Sequence, residues 1–68
     1  MKISARNQLK GKITEVKKGT TTAHVQIDIG GKVITASITN DSVDRLGLAV
    51  GKDAYAVIKA SDVMVAVD

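Results

Sequence analysis

The sequence of 68 residues contains no cysteine and no proline, and Tyr55 is its only aromatic residue. Without cysteine the chain forms neither disulfides nor thiolate metal sites, and the single His24 does not make a zinc site by itself. A chain of about 60 residues buries only about 60% of its unfolded surface, and disulfides, metals or oligomerisation usually reinforce such chains. Because the first two are excluded, we expect an oligomer.

Long apolar segments and targeting signals are also missing. No run of about 18 apolar residues is present, so we expect no membrane-spanning segment. The opening residues, MKISARNQ, lack the apolar core of a signal peptide. No linker, low-complexity segment or repeat divides the chain. These absences predict a cytoplasmic protein with a single domain over residues 1–68.

Charge is unevenly distributed along the chain, whose net charge is +3. Seven of the ten Lys and Arg residues precede residue 39, whereas five of the seven Asp and Glu residues follow it. A basic half suggests an anionic partner. Exposed lysines also keep strands soluble and protect sheet edges, so the charge alone does not identify a site.

Alternating apolar and polar residues predict β-strands over most of the chain. The predicted strands are one through Leu9, Gly11 and Ile13, followed by Ala23–Ile29, Val33–Thr39, Asp53–Lys59 and Asp62–Val67. The apolar phase slips near Thr14–Val16, which predicts a β-bulge. Lys17-Lys18-Gly19 indicates a turn, and Gly30-Gly31 indicates a hairpin turn. Both faces of the last two strands are apolar, as expected for strands buried in a barrel or against another subunit.

A short helix is predicted after the third strand. Asn40-Asp41-Ser42 offers capping residues, Val43 and Leu46 lie three positions apart, and Gly47 is a typical helix stop. The resulting order, β-β-β-α-β-β, predicts an all-β fold: a five-stranded OB-like barrel with one short helix.

Enzymatic motifs are absent. No defensible Ser/His/Asp set exists, the carboxylates are scattered, and no Gly-rich phosphate loop precedes a long helix. His24 lies on the polar face of its strand and is interpreted as a solvated surface residue. The chain is therefore predicted not to be an enzyme. A nucleic-acid-binding OB-like module stays open as an alternative, although such modules use aromatic platforms and only Tyr55 is available.

Three segments offer the donors that a small oxyanion requires, namely backbone N–H groups, hydroxyls and one or two cations. They are Ser4, Ala5, Arg6 and Asn7; then Lys59, Ala60 and Ser61; and the hydroxyls of Thr39 and Ser42 near a helix N-terminus. Each also has a structural explanation, as an anchored terminus, an exposed lysine or a helix cap. Their occurrence together favours an oxyanion site.

The patterns SARNQLKGKI at 4–13, TNDSVDRLGL at 39–48 and VIKASDVMVA at 57–66 resemble the molybdate- and tungstate-binding Mop domain, whose free-standing members are the molbindins. The resemblance covers essentially the whole chain. It implies an OB-like homo-hexamer, a trimer of dimers, that binds oxyanions at subunit interfaces and stores or buffers them without an organic cofactor. A module that senses the oxyanion for a partner is a further alternative.

The same resemblance implies roles for individual residues. Ser4, Ala5, Arg6 and Asn7 from one subunit, with Lys59, Ala60 and Ser61 from a neighbour, would form the main molybdate site. Thr39 and Ser42 rank second. A further class of site near a symmetry axis is assigned to the turn of Gly19, Thr20, Thr21 and Thr22.

Overall fold

The computed structural model describes residues 1–68, which contain four β-strands, one α-helix and one short turn of 3-10 helix. The elements are β1 (Asn7–Lys18), β2 (Thr22–Asp28), β3 (Val33–Thr39), α1 (Asn40–Leu46), β4 (Asp53–Ile58) and the 3-10 turn (Ala60–Asp62). The all-β class and the position of the helix are as predicted. The helix is seven residues long, and no helix in the chain is long and apolar enough to cross a membrane.

The four strands form one antiparallel sheet in the order β3-β2-β1-β4. The 12-residue β1 is central, because its first half pairs with β4 and its second half pairs with β2. β3 and β4 therefore each have one unpaired edge.

The predicted irregularity in β1 is confirmed. Ile13 lies opposite Ile27, but the next pair is Glu15 with Gln26, so Thr14 is bulged out of the register. A bulge moves the following side chains to the other face of a strand. This explains why Ile13 is buried and Val16 also packs against the core despite their odd spacing.

The β2–β3 hairpin turns at Gly30-Gly31, as predicted. Both glycines have positive φ, +105° and +98°, which side-chain-bearing residues rarely adopt. The Asp28 carboxylate accepts hydrogen bonds from their N–H groups at 2.9 and 2.8 Å. Both hydrogen bonds lower the pKa of Asp28, and the bond from Gly31 has the larger effect.

The N-cap of helix α1 lies one residue before the capping residues that the sequence suggests. Thr39, rather than Asn40, is the N-cap, and its hydroxyl accepts a hydrogen bond from the Ser42 N–H at 3.0 Å. Gly47 ends the helix in the left-handed conformation, as predicted, and the Leu48 N–H closes the cap on the Val43 carbonyl.

The core is small and lies between the curled sheet and the helix. Only six of the 68 residues are buried: Ile13, Ala23, Val25, Ile27, Val43 and Ala56. All six are apolar, and three come from β2. A single chain therefore buries little of its apolar content.

The prediction of a fifth strand over Asp62–Val67 is wrong for the single chain, and the sheet is a curled four-stranded one. Ala60–Asp62 forms the 3-10 turn instead, and no regular element follows it. Val65 and Val67 are 89% and 90% exposed. The apolar pattern is right for a strand, but the segment has no pairing partner within its own chain.

Candidate functional site

The register of β1 and β4 brings two of the predicted site segments to one end of the sheet. Asn7, the first residue of β1, lies opposite Ile58, the last residue of β4, and the Asn7 amide donates to the Ile58 carbonyl at 3.2 Å. Residues 4–6 lead directly into Asn7, and residues 59–61 follow Ile58 directly. One chain therefore places Ser4–Asn7 beside Lys59–Ser61, whereas the resemblance had implied that Lys59–Ser61 would come from a neighbouring subunit. We call these seven residues the strand-end cluster.

The strand-end cluster contains several backbone N–H groups without an acceptor. Ser4, Ala5, Arg6 and Lys59 donate no backbone hydrogen bond. Ala60 and Ser61 open the 3-10 turn, whose two hydrogen bonds are donated by the residues that follow them. The N–H groups that open a helical turn are unpaired in this way by geometry. Such groups are available to an anion.

The cluster also holds two cations without an ionic partner. The ion pairs of the chain join Lys12 to Asp53 at 2.8 Å and Lys18 to Asp44 at 2.6 Å, and neither involves Arg6 or Lys59. The hydrogen bond and charge of Lys12 lower the pKa of Asp53. One carboxylate, that of Asp62, adjoins the cluster in sequence. Cations therefore outnumber carboxylates there.

Two amide side chains hold the opening segment in place. Besides the Asn7 bond, Gln8 Nε2 donates to the Ala5 carbonyl at 2.9 Å. Both bonds occupy carbonyl oxygens and leave the N–H groups of residues 4–6 free. Gln8 was not among the predicted site residues, although it belongs to the SARNQ pattern. Its hydrogen bond fixes the backbone at Ala5.

The strand-end cluster is open to solvent in a single chain. Ala5 and Asn7 are half-buried, and its other five residues are exposed. Neither of the two surface cavities of the chain includes any of the seven residues. A bounded pocket at this position needs a second surface.

The second-tier residues form a separate cluster at the other end of β1. Asn40 joins its two parts, because its N–H donates to the Thr21 carbonyl and its amide donates to the Gly19 carbonyl, both at 2.9 Å. These bonds place the turn of Gly19, Thr20, Thr21 and Thr22 beside Thr39 and Ser42. We call these six residues the turn cluster.

A polar cavity of about 280 Å³ adjoins the turn cluster, lined by Lys17, Lys18, Gly19, Thr22 and His24. The three basic residues were not predicted as site residues. His24 is exposed on the sheet surface, as predicted. Lys17 lies directly opposite it in the β1–β2 register.

Several donors in and beside the turn cluster are already engaged. The Thr39 hydroxyl donates to Ser42 Oγ at 2.8 Å, and Lys18 is paired with Asp44. The Gly19 N–H bonds the Thr22 carbonyl at 2.7 Å. An anion here would compete with bonds inside the chain, so the strand-end cluster is the better candidate. No group of three or more His, Asp or Glu side chains is arranged to hold a metal ion.

Comparison with known proteins covers both clusters, because residues 3–65 match the TOBE domain. This chain belongs to the TOBE-domain family. It is 54% identical to a probable molybdenum-pterin-binding protein of Haemophilus influenzae, and the match covers all of both chains. The resemblance to the Mop domain is thereby confirmed.

Solved structures of TOBE-domain relatives agree with the fold. MopII from Clostridium pasteurianum has a TM-score of 0.91 at 51% identity, over 97% of this chain and all of that one. The cytoplasmic molybdate-binding protein ModG, in a form with molybdate bound, has a TM-score of 0.89 at 40% identity. That match covers 94% of this chain and 46% of ModG.

Proposed function

We propose that this TOBE-domain chain binds molybdate, and also tungstate, at subunit interfaces of a homo-oligomer, and that it stores or buffers the oxyanion without catalysing a reaction. The relatives named for molybdenum-pterin or molybdate binding support the ligand class. The observation that carries the proposal for this chain is the strand-end cluster. Unpaired N–H groups and two unpaired cations lie together there because Asn7 pairs with Ile58.

The chemistry of these donors suits a tetrahedral dianion. Arg6 and Lys59 supply positive charge, and charge-assisted hydrogen bonds are roughly twice as strong as neutral ones. The hydroxyls of Ser4 and Ser61 make no hydrogen bond within the chain that an anion would have to break. Ala5 and Ala60 have short side chains, which leave their backbone N–H groups accessible.

A second subunit completes the site in this proposal. The cluster is exposed in one chain, and an anion bound there would keep much of its hydration shell. Covering the cluster with a neighbour removes water, which strengthens each hydrogen bond to the anion. We assign the assembly as a hexamer, a trimer of dimers, on the resemblance to the molbindins.

Selection of molybdate over sulfate then depends on the size of the enclosed space. Both are tetrahedral dianions with the same charge, so hydrogen-bond donors alone do not separate them. A site with only two full charges also releases its anion readily, which suits storage or buffering. We place the protein in the cytoplasm, as one Mop domain over residues 1–68, and the turn cluster is our weaker candidate for a second oxyanion site.

Titration calorimetry of the full chain with molybdate, tungstate, sulfate and phosphate tests this function. We expect molybdate and tungstate to bind at least about 100-fold more tightly than sulfate or phosphate, a difference of about 2.7 kcal/mol. Equal affinities for all four anions would contradict a size-selective site. Binding of oligonucleotides with a steep salt dependence, and no heat with molybdate, would favour the nucleic-acid alternative instead.

A further inference from the structure

The Gln8 side chain makes the only hydrogen bond in which residues 1–6 take part. Its Nε2 donates to the Ala5 carbonyl at 2.9 Å, and residues 1–6 precede the first strand and its ladder of hydrogen bonds. A carbonyl oxygen only accepts, so the nitrogen of the Gln8 amide is the atom that faces it. This bond is therefore the one polar contact that sets the backbone direction at Ala5.

The Ala5 carbonyl and the Arg6 N–H belong to the same trans peptide group. This group is planar, so its C=O and its N–H point in opposite directions. Because Gln8 holds the carbonyl on one side, the Arg6 N–H is turned to the other side, where it meets no backbone acceptor. Rotation of the peptide group by half a turn would present a carbonyl oxygen there instead, and a carbonyl oxygen repels an anion.

The Asn7 side chain acts in the same way on the second segment of the strand-end cluster. Its amide donates to the Ile58 carbonyl at 3.2 Å, and that carbonyl shares a peptide group with the Lys59 N–H. The Lys59 N–H also donates to no backbone acceptor. Two side-chain amides that are neighbours in sequence therefore hold the peptide groups that precede the two cations of the cluster.

The 3-10 turn shows the same arrangement with backbone donors. The carbonyls of Lys59 and Ala60 accept hydrogen bonds from the N–H groups of Asp62 and Val63 at 2.9 and 3.2 Å. The N–H groups that share those two peptide groups, on Ala60 and Ser61, are unpaired. A peptide group that accepts a hydrogen bond at its carbonyl becomes a stronger donor at its N–H, because linked hydrogen bonds polarise one another. Four N–H donors of the cluster are thus both oriented and strengthened.

We propose that Gln8 is a positioning residue of the oxyanion site, whose amide holds the Ala5–Arg6 peptide group so that its N–H faces the bound anion. Asn7 orients the N–H of Lys59 by the same means. This proposal rests on the proposed function and names the side chains that orient the donors of that site. Gln8 itself does not contact the anion, since its Nε2 is occupied by the Ala5 carbonyl.

Two matched variants test the role of Gln8 by titration calorimetry with molybdate. Gln8→Met removes the amide at nearly constant size, and Gln8 is exposed, so the core is left intact. Gln26→Met makes the same replacement in β2, where the side-chain amide forms no hydrogen bond within the chain. We expect Q8M to bind molybdate about 3- to 10-fold more weakly, the effect of one hydrogen bond, and Q26M to change the affinity less than about twofold.

The pattern of amide shifts separates orientation of a donor from a general loss of structure. In a nitrogen-15 NMR titration with molybdate, we expect Q8M to reduce the shift change at the Arg6 N–H more than that at the Lys59 N–H. We expect Asn7→Leu, which removes the other amide at similar size, to give the reverse order. A variant that merely loosens the fold would reduce both shift changes alike.

Two results would overturn the positioning role while leaving the molybdate site in place. One is Q8M binding molybdate as tightly as Q26M, and the other is the same ratio of Arg6 to Lys59 shift changes in Q8M as in the wild type. Gln8→Ala is a second variant with the same expected outcomes, so the result does not depend on how methionine packs. A wild type that does not bind molybdate is a different result, and it overturns the proposed function itself.

Discussion

Arg6→Ala and Lys59→Ala are each expected to weaken molybdate binding by about 10- to 100-fold. Both side chains lie in the strand-end cluster, and neither forms an ion pair within the chain. A hydrogen bond to a charged group contributes about 1.5–3 kcal/mol, and each 1.4 kcal/mol is a factor of ten in affinity. Titration calorimetry of each variant measures the loss.

Lys32→Ala is the matched control, because it removes one exposed positive charge from the β2–β3 turn. We expect it to change the affinity less than about twofold, since exposed charges at a distance are screened by salt. Lys17 lines the cavity beside the turn cluster, so Lys17→Ala tests separately whether that cavity contributes to molybdate binding. Equal losses in all four variants would indicate a diffuse electrostatic effect and would contradict a local site.

Gly11→Ala is expected to destabilise the protein strongly, and more than Gly19→Ala does. A Cβ at residue 11 would overlap the backbone carbonyl of Asp28 and lie 2.9 Å from Cγ2 of Ile27. Backbone atoms of a paired strand do not move aside without loss of the register. Overpacking of this kind costs about 1–3 kcal/mol, or roughly 5–20 °C in melting temperature for a domain of this size. Thermal unfolding followed by circular dichroism at fixed protein concentration measures it.

Gly19→Ala serves as the comparison, because its Cβ would meet a single atom, the Thr22 carbonyl oxygen, at 3.0 Å. A shift of a few tenths of an ångström relieves that contact. We expect the free energy of unfolding to decrease by less than about 1 kcal/mol. A Gly11→Ala protein as stable as Gly19→Ala would show that β1 and β2 do not approach as closely as described.

The sequence predicted those elements whose partners lie in the same chain. Strict alternation identified β2 and β3, the Gly30-Gly31 pair identified their hairpin, and the phase slip after Ile13 identified the bulge. The requirement for glycine at position 11 was not predictable. It depends on how closely β1 approaches Asp28, and alternation carries no information about distance between strands.

The prediction of a fifth strand failed for a different physical reason. Residues 63–67 have the composition of a buried strand, but pairing requires an edge, and the single chain does not offer its own edges to them. A pattern reports the preference of a segment and not the location of its partner.

Some features of the candidate site were likewise predictable from the sequence, and others were not. Donor chemistry singled out Ser4–Asn7 and Lys59–Ser61, but their adjacency follows from the pairing of Asn7 with Ile58, a register that the sequence did not specify. The supporting role of Gln8 was missed because its amide acts on the backbone of Ala5. The turn cluster was found from hydroxyl content, and the structure engages several of those groups in capping.

The change in backbone amide chemical shifts on addition of molybdate tests most directly whether the strand-end cluster binds the oxyanion. In a nitrogen-15 NMR titration of the full chain, we expect the largest shifts at Ser4–Asn7 and Lys59–Ser61. We expect much smaller shifts at the Gly19–Thr22 turn, and weaker changes throughout with equimolar sulfate. Shifts confined to the Gly19–Thr22 turn, or identical responses to molybdate and sulfate, would contradict a selective oxyanion site at the strand-end cluster.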